Sequence, residues 1–340
     1  MSGNATYRLT NTVALAVSAV EAPVVVTSAE LDERLADTLR RVRLRPGLFE
    51  RLAGIRERRW WHEGTSFTDA AIMAGEKALA ESGVDPGAIG LLIDTSVSRA
   101  YLEPSAAVAV HHALDLPTSC LNFDLANACL GFVNAMQLAG MMIDAGQIEY
   151  ALIVDGEGSR LTHERTLARL NQPGSTSADV IAEFATLTLG SGAAAMVLGR
   201  ADRHPDGHRI VGGVSRAGTE HHQLCVGDLD MMRTDVKGLF DAGLALSEQT
   251  WKQACTDFDW DDADLYVSHQ ISQVHTDALC ATLDIDPARV PRTFPTFGNI
   301  GPASIPFTLA LSAPGLHRGD QIVCMGIGSG LNTSCVELTW

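Results

Sequence analysis

Short unbroken apolar runs alternate along the chain with longer stretches whose apolar residues recur every three or four positions. GLLIDTS (90–96), LNFDL (121–125), YALIVDG (150–156) and AAAMVLG (193–199) predict buried strands. Between them, PSAAVAVHHALDL (104–116), CLGFVNAMQLAGMMIDAG (129–146) and SADVIAEFATLT (177–188) predict helices. The second of these helices is apolar on nearly every side, which places it at the centre of its domain. Strands alternating with helices of this length predict α/β construction.

The order then repeats. WDDADLYVSHQISQVHTDALCATLDIDP (260–287) follows the pattern of GAIGLLIDTSVSRAYLEPSAAVAVHHALDLP (87–117). FPTFGNIGPASIPFTLALSAPGLHRGDQIVCMGIGSG (294–330) follows that of FDLANACLGFVNAMQLAGMMIDAGQIEYALIVDGEG (123–158). Both pairs are offset by roughly 172 positions, and a repeat this long implies two similar α/β halves rather than a solenoid. We divide them as 1–200 and 201–340, with the two apolar helices packed together between the sheets.

Composition narrows the function. At 340 residues and 46% hydrophobic, the chain is able to bury a large core. Its net charge of −16 argues against nonspecific attraction to nucleic acid or anionic membrane. Seven dispersed cysteines without a C-x-x-C pair argue for a reducing compartment and against a disulfide scaffold or a cysteine-rich zinc site. No apolar stretch reaches the length of a membrane span, and the first residues lack a signal-peptide pattern, so the cytoplasm is the expected location. Walker A, H-E-x-x-H and a G-x-G-x-x-G following a strand are all absent, which leaves no metal or nucleotide cofactor to expect.

Against that background a few polar residues stand out. Cys129, in NACLGF, opens the apolar helix, where unpaired N–H groups and the helix dipole favour a thiolate and lower its pKa. Asn127 or Ala128 takes the sharp turn before it. A packing role is the common fate of a free cysteine, and the other six are read that way. His269, in YVSHQIS, follows a predicted strand at its carboxyl end, where α/β sheets present functional groups. Asn299, in FGNIGPAS, holds in the second half nearly the position that Cys129 holds in the first, although a turn or N-cap role would also suit it.

Together these residues suggest a thiolate that attacks an acyl thioester, with His269 and Asn299 donating to an oxyanion or enolate. The glycine-rich turn GIGSGLN (326–332) offers a further N–H donor, Gly330, to pair with the Cys129 N–H. Glu103, before Pro104, either stabilises a helix start or acts as a general base. An arginine-rich stretch (34–61) holds nine of the chain's 25 Lys and Arg residues. Arg56 and Arg58 suit phosphate and Trp60 offers a flat face for a purine, although a solvated arginine-rich helix reads equally well.

The set resembles the thiolase superfamily over essentially the whole chain. NACLGF is similar to the active-cysteine motif of ketoacyl-ACP synthase III, SHQIS to its His-Gln-Ala-Asn segment and GNIGPAS to its Gly-Asn-Thr-Ser-Ala-Ser segment. TSVSRAYLEPS, FDLANACLGFVN, ATLTLGSGAAAMV and GIGSGLN resemble more narrowly the OleA family of head-to-head acyl-CoA condensing enzymes. That resemblance implies a cytoplasmic homodimer with the five-layer α-β-α-β-α thiolase fold. It also implies fatty acyl-CoA substrates, with coenzyme A arriving only as part of the substrate, so that Arg56, Arg58 and Trp60 would meet CoA. Two acyl-CoAs would undergo Claisen condensation without decarboxylation, through acyl-Cys129, to a 2-alkyl-3-oxoacyl-CoA or its free acid. Enzymes of an olefin or β-lactone pathway would take up that product. Glu103 matches the family's base, which reaches into the partner subunit's site, and His269 and Asn299 match its oxyanion or enolate donors. SHQIS lacks the asparagine of the initiating synthases, and Gly326 stands where degradative thiolases carry a second cysteine. The competing expectations are a decarboxylating synthase III-like initiator and a non-catalytic partner subunit of a heterodimer.

Overall fold

The computed structural model describes residues 5–228 and 231–340; residues 1–4, which begin the first expected half, lie outside them. The chain starts with β1 (Thr6–Arg8) and β2 (Thr12–Glu21). A two-stranded ribbon of β3 (Val24–Thr27) and β4 (Glu57–Trp60) then brackets α1 (Ser28–Arg34) and α2 (Ala36–Arg41). Next come α3 (Phe67–Ser82), β5 (Ile89–Asp94), α4 (Ala106–Ala113), β6 (Leu121–Asp124), α5 (Gly131–Asp144) and β7 (Tyr150–Glu157). α6 (Arg160–Leu170) and α7 (Ser177–Ala182) lead to β8 (Gly192–Arg200). The second half holds β9 (His208–Ala217), β10 (Cys225–Gly227), β11 (Met232–Thr234), α8 (Val236–Asp257), β12 (Leu265–Ser268) and α9 (Gln273–Leu283). It closes with α10 (Phe294–Phe297), α11 (Ser304–Ser312), β13 (Gln321–Gly328) and β14 (Asn332–Thr339).

The strands pair in the order β6-β5-β7-β8-β2 and then β9-β14-β13-β12. The two sets meet where β2 pairs antiparallel with β9 at Val13↔Arg209 and Ala14↔His208. β1, although first in the chain, pairs with β9 and so belongs to the second sheet. β5 and β7 are parallel and buried on both faces, which is why their sequences read as continuous apolar runs. β6 departs from the expected buried strand: it is the sheet edge, and Leu121 is exposed. Its two apolar residues alternate with Asn122 and Asp124, a pattern that covers only one face.

Five layers result. α3 and α4 cover the outer face of the first sheet through Ala70, Ala74, Ala78 and Val110. α8 and α9 cover the outer face of the second through Trp251 and Leu283. Between the sheets lie α5 and α11, with Phe132, Val133, Met136, Ile305 and Leu309 in one continuous core. The apolarity of α5 follows from this: most of its surface is buried between the sheets, with Met141 near its end exposed. No helix among the described residues is long and apolar enough to cross a membrane. The expected helix over 177–188 stops at Ala182 and resumes only as a short 3₁₀ turn, Thr186–Thr188.

Candidate active site

The turn between β6 and α5 is built to hold Cys129 in a sharp corner. Ala128 has φ +45°, a left-handed backbone that a residue with a Cβ adopts only when its surroundings impose it. This settles the turn position on Ala128. Asn127 supplies the bracing: its Nδ2 donates to Asn134 Oδ1 on α5 at 2.7 Å, and its Oδ1 accepts from Asn332 Nδ2 at 3.3 Å. Gly131 lets the helix start sit close, because a Cβ there would fall 2.9 Å from Leu125 O and 3.1 Å from Thr95 O. Gly328, at the end of β13, closes the corner from the other half of the chain; its Cβ would lie 3.0 Å from Asn127 O.

The expected low pKa of Cys129 is corrected by this geometry. The helix begins at Gly131 with Leu130 as its cap, so the sulfur precedes the first turn rather than opening it. Although the residue is only partly buried, the protein around the thiol pushes it up to about 12, with Glu157 adding to the effect of burial. At neutral pH the sulfur therefore keeps its proton until a base receives it.

A group able to receive that proton lines the same cavity. His269 leaves the end of β12 with its N–H donating to Met325 O on β13 at 2.9 Å. Burial, with a smaller contribution from His275, lowers its imidazole to about 4, so it is neutral at pH 7 and able to accept a proton. Its Nδ1 is buried without a hydrogen-bond partner. Fully buried Gln270 fixes the strand end: Nε2 donates to Ser268 O and Pro291 O, and Oε1 accepts from the Thr293 and Phe294 N–H groups. The polar residue beside the histidine in SHQIS was the only sequence signal for it.

Asn299 is clamped by its backbone, donating to Thr188 O at 3.0 Å and accepting from Gly190 N–H at 2.8 Å. Its Oδ1 accepts from Gly301 N–H at 3.0 Å, which leaves the Nδ2 amide as a donor toward the cavity. Cys129, His269 and Asn299 all line one cavity of roughly 1970 Å³, walled elsewhere by apolar side chains such as Phe184, Phe240, Leu244 and Leu279. A drug-sized ligand needs about half that space at most.

The remaining expected residues lie elsewhere. Glu103 is exposed and does not line its own cavity; it sits in the segment between β5 and α4, whose tip, Tyr101 and Leu102, is 72% and 85% exposed. The helix-start role falls to Asp124, whose carboxylate accepts from Ala106 and Ala107 N–H at 3.0 and 2.9 Å. Gly330 occupies the β13–β14 turn, whose neighbours Ser329 and Leu331 line the cavity. Two CoA-binding expectations are corrected. Arg58 is fully buried and Trp60 is buried too, its Nε1 donating to His163 Nδ1 at 3.0 Å, so neither offers a surface to a nucleotide. β4 alternates inward and outward, and Arg58 shares Trp60's parity. Arg56 is exposed. Cys324 is packed in the central core, away from any thiolase-like second-cysteine role.

Family comparisons agree with this geometry. The model for 3-oxoacyl-[acyl-carrier-protein] synthase III matches residues 123–169, and the model for its C-terminal part matches 254–340. The chain is 45% identical to an acyl-CoA:acyl-CoA alkyltransferase of Xanthomonas campestris, over 94% of its own length and 96% of the relative's. It is 33% identical to the Shewanella oneidensis enzyme of the same name, over 94% and 96%. A beta-ketoacyl-[acyl-carrier-protein] synthase III of Rhodospirillum rubrum is 31% identical over 90% and 92%. A variant of Xanthomonas campestris OleA with bound lauric acid and lauroyl-CoA superposes with a TM-score of 0.96 at 42% identity, covering 98% of this chain and 100% of that one. Cerulenin-bound OleA gives 0.96 at 42% identity, covering 98% of each chain. Identity at this level along nearly the whole chain, on a backbone that superposes so closely, makes the protein an enzyme of the acyl-CoA:acyl-CoA alkyltransferase (OleA) family, on the thiolase fold.

Proposed function

We propose that the protein joins two long-chain fatty acyl-CoAs by a non-decarboxylative Claisen condensation, working in the cytoplasm as a homodimer. The observation that carries this reading is the convergence of Cys129, His269 and Asn299 on a single apolar cavity large enough for two chains. The Cys129 sulfur attacks the first thioester as its proton passes to His269, whose neutral ring is ready for it. The Cys129 and Gly330 N–H groups hold the tetrahedral oxyanion, which collapses to acyl-Cys129 as His269 gives the proton to the departing CoA sulfur. Arg56 meets the phosphates of the CoA portion.

The second acyl-CoA then loses an α-proton to Glu103 of the partner subunit. Its enolate oxygen accepts from His269 and from Asn299 Nδ2, and the α-carbon attacks acyl-Cys129, expelling the cysteine sulfur. The product is a 2-alkyl-3-oxoacyl-CoA, or the 2-alkyl-3-oxo acid after hydrolysis. It is a suitable substrate for enzymes of an olefin or β-lactone route. No cofactor is needed beyond the CoA that the substrates carry. Incubation with myristoyl-CoA alone is expected to release CoA and to yield a long-chain ketone as the oxo acid loses carbon dioxide. A strict requirement for malonyl-ACP would overturn the proposal and favour the decarboxylating initiator.

A further inference from the structure

A buried carboxylate at the end of β7 has no part in the chemistry described so far. Glu157 is 7% exposed and lines the same cavity as Cys129. Its Oε1 accepts from Val97 N–H at 2.6 Å and Ser98 N–H at 3.4 Å; its Oε2 accepts from Ser98 N–H at 3.3 Å and from the Ser98 hydroxyl at 2.6 Å. Ser98 Oγ accepts in turn from Gly158 N–H at 3.1 Å. Residues 97 and 98 are the root of the segment that bears Glu103, which has no helix or strand of its own before α4. The other side of the carboxyl group packs on Gly301, where a Cβ would fall 3.3 Å from Glu157 Cδ. Gly301 N–H is the donor that fixes Asn299 Oδ1.

One carboxylate thus touches both the loop that carries Glu103 and the turn that carries Asn299. A carboxylate offers about four lone-pair sites, and three donors, the Val97 and Ser98 N–H groups and the Ser98 hydroxyl, already engage it, which ties Glu157 to the loop root. No cation lies within ion-pair distance of it among the described residues, so the loop root supplies the polar partners that its burial demands. We propose that Glu157 is a positioning residue: it anchors the root of the 97–105 segment and thereby sets where Glu103 lies in the partner subunit's site. This rests on the reading of Glu103 as the base acting across the dimer.

Glu157→Ala is expected to acylate Cys129 from myristoyl-CoA in a single turnover at least as fast as the parent enzyme, because the lost carboxylate helped to hold the thiol up; intact-protein mass reads this. Condensation should fall about a hundredfold, the scale of a 1 Å misplacement. Glu157→Gln, which keeps an oxygen for Val97 N–H, should recover most of it. The deciding measurement uses hybrid dimers, co-expressed and purified through two different tags. In a Glu157→Ala/Cys129→Ser hybrid, the intact Cys129 is served by a loop whose anchor is intact, so condensation should return. No return would place the role of Glu157 inside its own cavity and overturn the anchor. A Glu103→Ala/Cys129→Ser hybrid is expected to recover as well. Failure of that control overturns the base reading, and the anchor with it, so the two failures are distinguishable. If Glu157→Ala does not fold, Ser98→Ala removes the hydroxyl bond alone; condensation undiminished relative to acylation would then reject the proposal.

Discussion

Two buried histidines sit in unlike polar surroundings, and only one of them opens onto the cavity. In the closed cluster His163 accepts from Trp60 Nε1 at 3.0 Å through Nδ1, so its Nε2 donates to Thr186 O at 3.0 Å; both ring nitrogens are engaged. In the open cluster His269 has a buried Nδ1 without a partner and lines the cavity that Cys129 and Asn299 also line. Burial lowers both imidazoles, His163 to about 3 and His269 to about 4, so the shift by itself does not separate a structural histidine from a reacting one. What separates them is an unmet hydrogen bond combined with space for a substrate. Arg58 shows that both conditions are needed. Its Nε and Nη2 are unpartnered, yet Arg58 does not line the cavity.

Substitutions in each cluster test this contrast. Cys129→Ser should abolish covalent acylation, lowering turnover about 10⁴-fold or more, with little change in melting temperature. Covalent lipid accumulating on the serine variant at the normal rate would break the assignment. Trp60→Ala should do the opposite, destabilising the fold by about 3–5 kcal/mol in urea unfolding while each folded molecule still acylates Cys129. Lost acylation in the folded variant would return the closed cluster to the site. His269→Ala should cost about 10²–10³ in turnover, through the missing donor and proton acceptor, without the stability loss of Trp60→Ala.

The smallest effect is a pH profile. Because burial raises the Cys129 thiol to about 12, the thiolate fraction near neutrality lies below that of an ordinary thiol, whose value is 9.0. Alkylation of Cys129 by iodoacetamide should therefore still climb about tenfold per pH unit between about pH 9 and 11, where an ordinary thiol levels off. A plateau near the ordinary value would show that burial has no hold on the sulfur.

Much of this arrangement is legible in the sequence, for identifiable reasons. β5, β7 and β8 are buried on both faces, so their apolar runs announce them, and the apolar girth of α5 announces the middle layer. Cys129, His269 and Asn299 stand at the ends of such elements, where a polar residue interrupts an apolar pattern. β1 pairing with the second sheet was not readable, because three residues carry no signal of their partner. Arg58 misled because a run of arginines looks solvated, whereas the alternation in ERRW already put it on the same face as a tryptophan. The Cys129 pKa runs against its place near a helix start because burial, with Glu157 adding to it from a distant part of the chain, outweighs the helix, and neither is legible in NACLGF. Glu157 itself escaped notice: a carboxylate at a strand end in GEG reads as a turn until the loop it holds is seen.

The close approach of Gly328 to the Cys129 corner has a consequence for how such a molecule can change. Residue 328, about two hundred positions further along the chain, packs under the turn that holds Cys129, where an added Cβ would lie 3.0 Å from Asn127 O and 3.2 Å from Leu130 Cβ. A methyl group gained at 328 would require Asn127 and Leu130 to give by a few tenths of an ångström, which ties change at this glycine to change in the turn that carries Cys129.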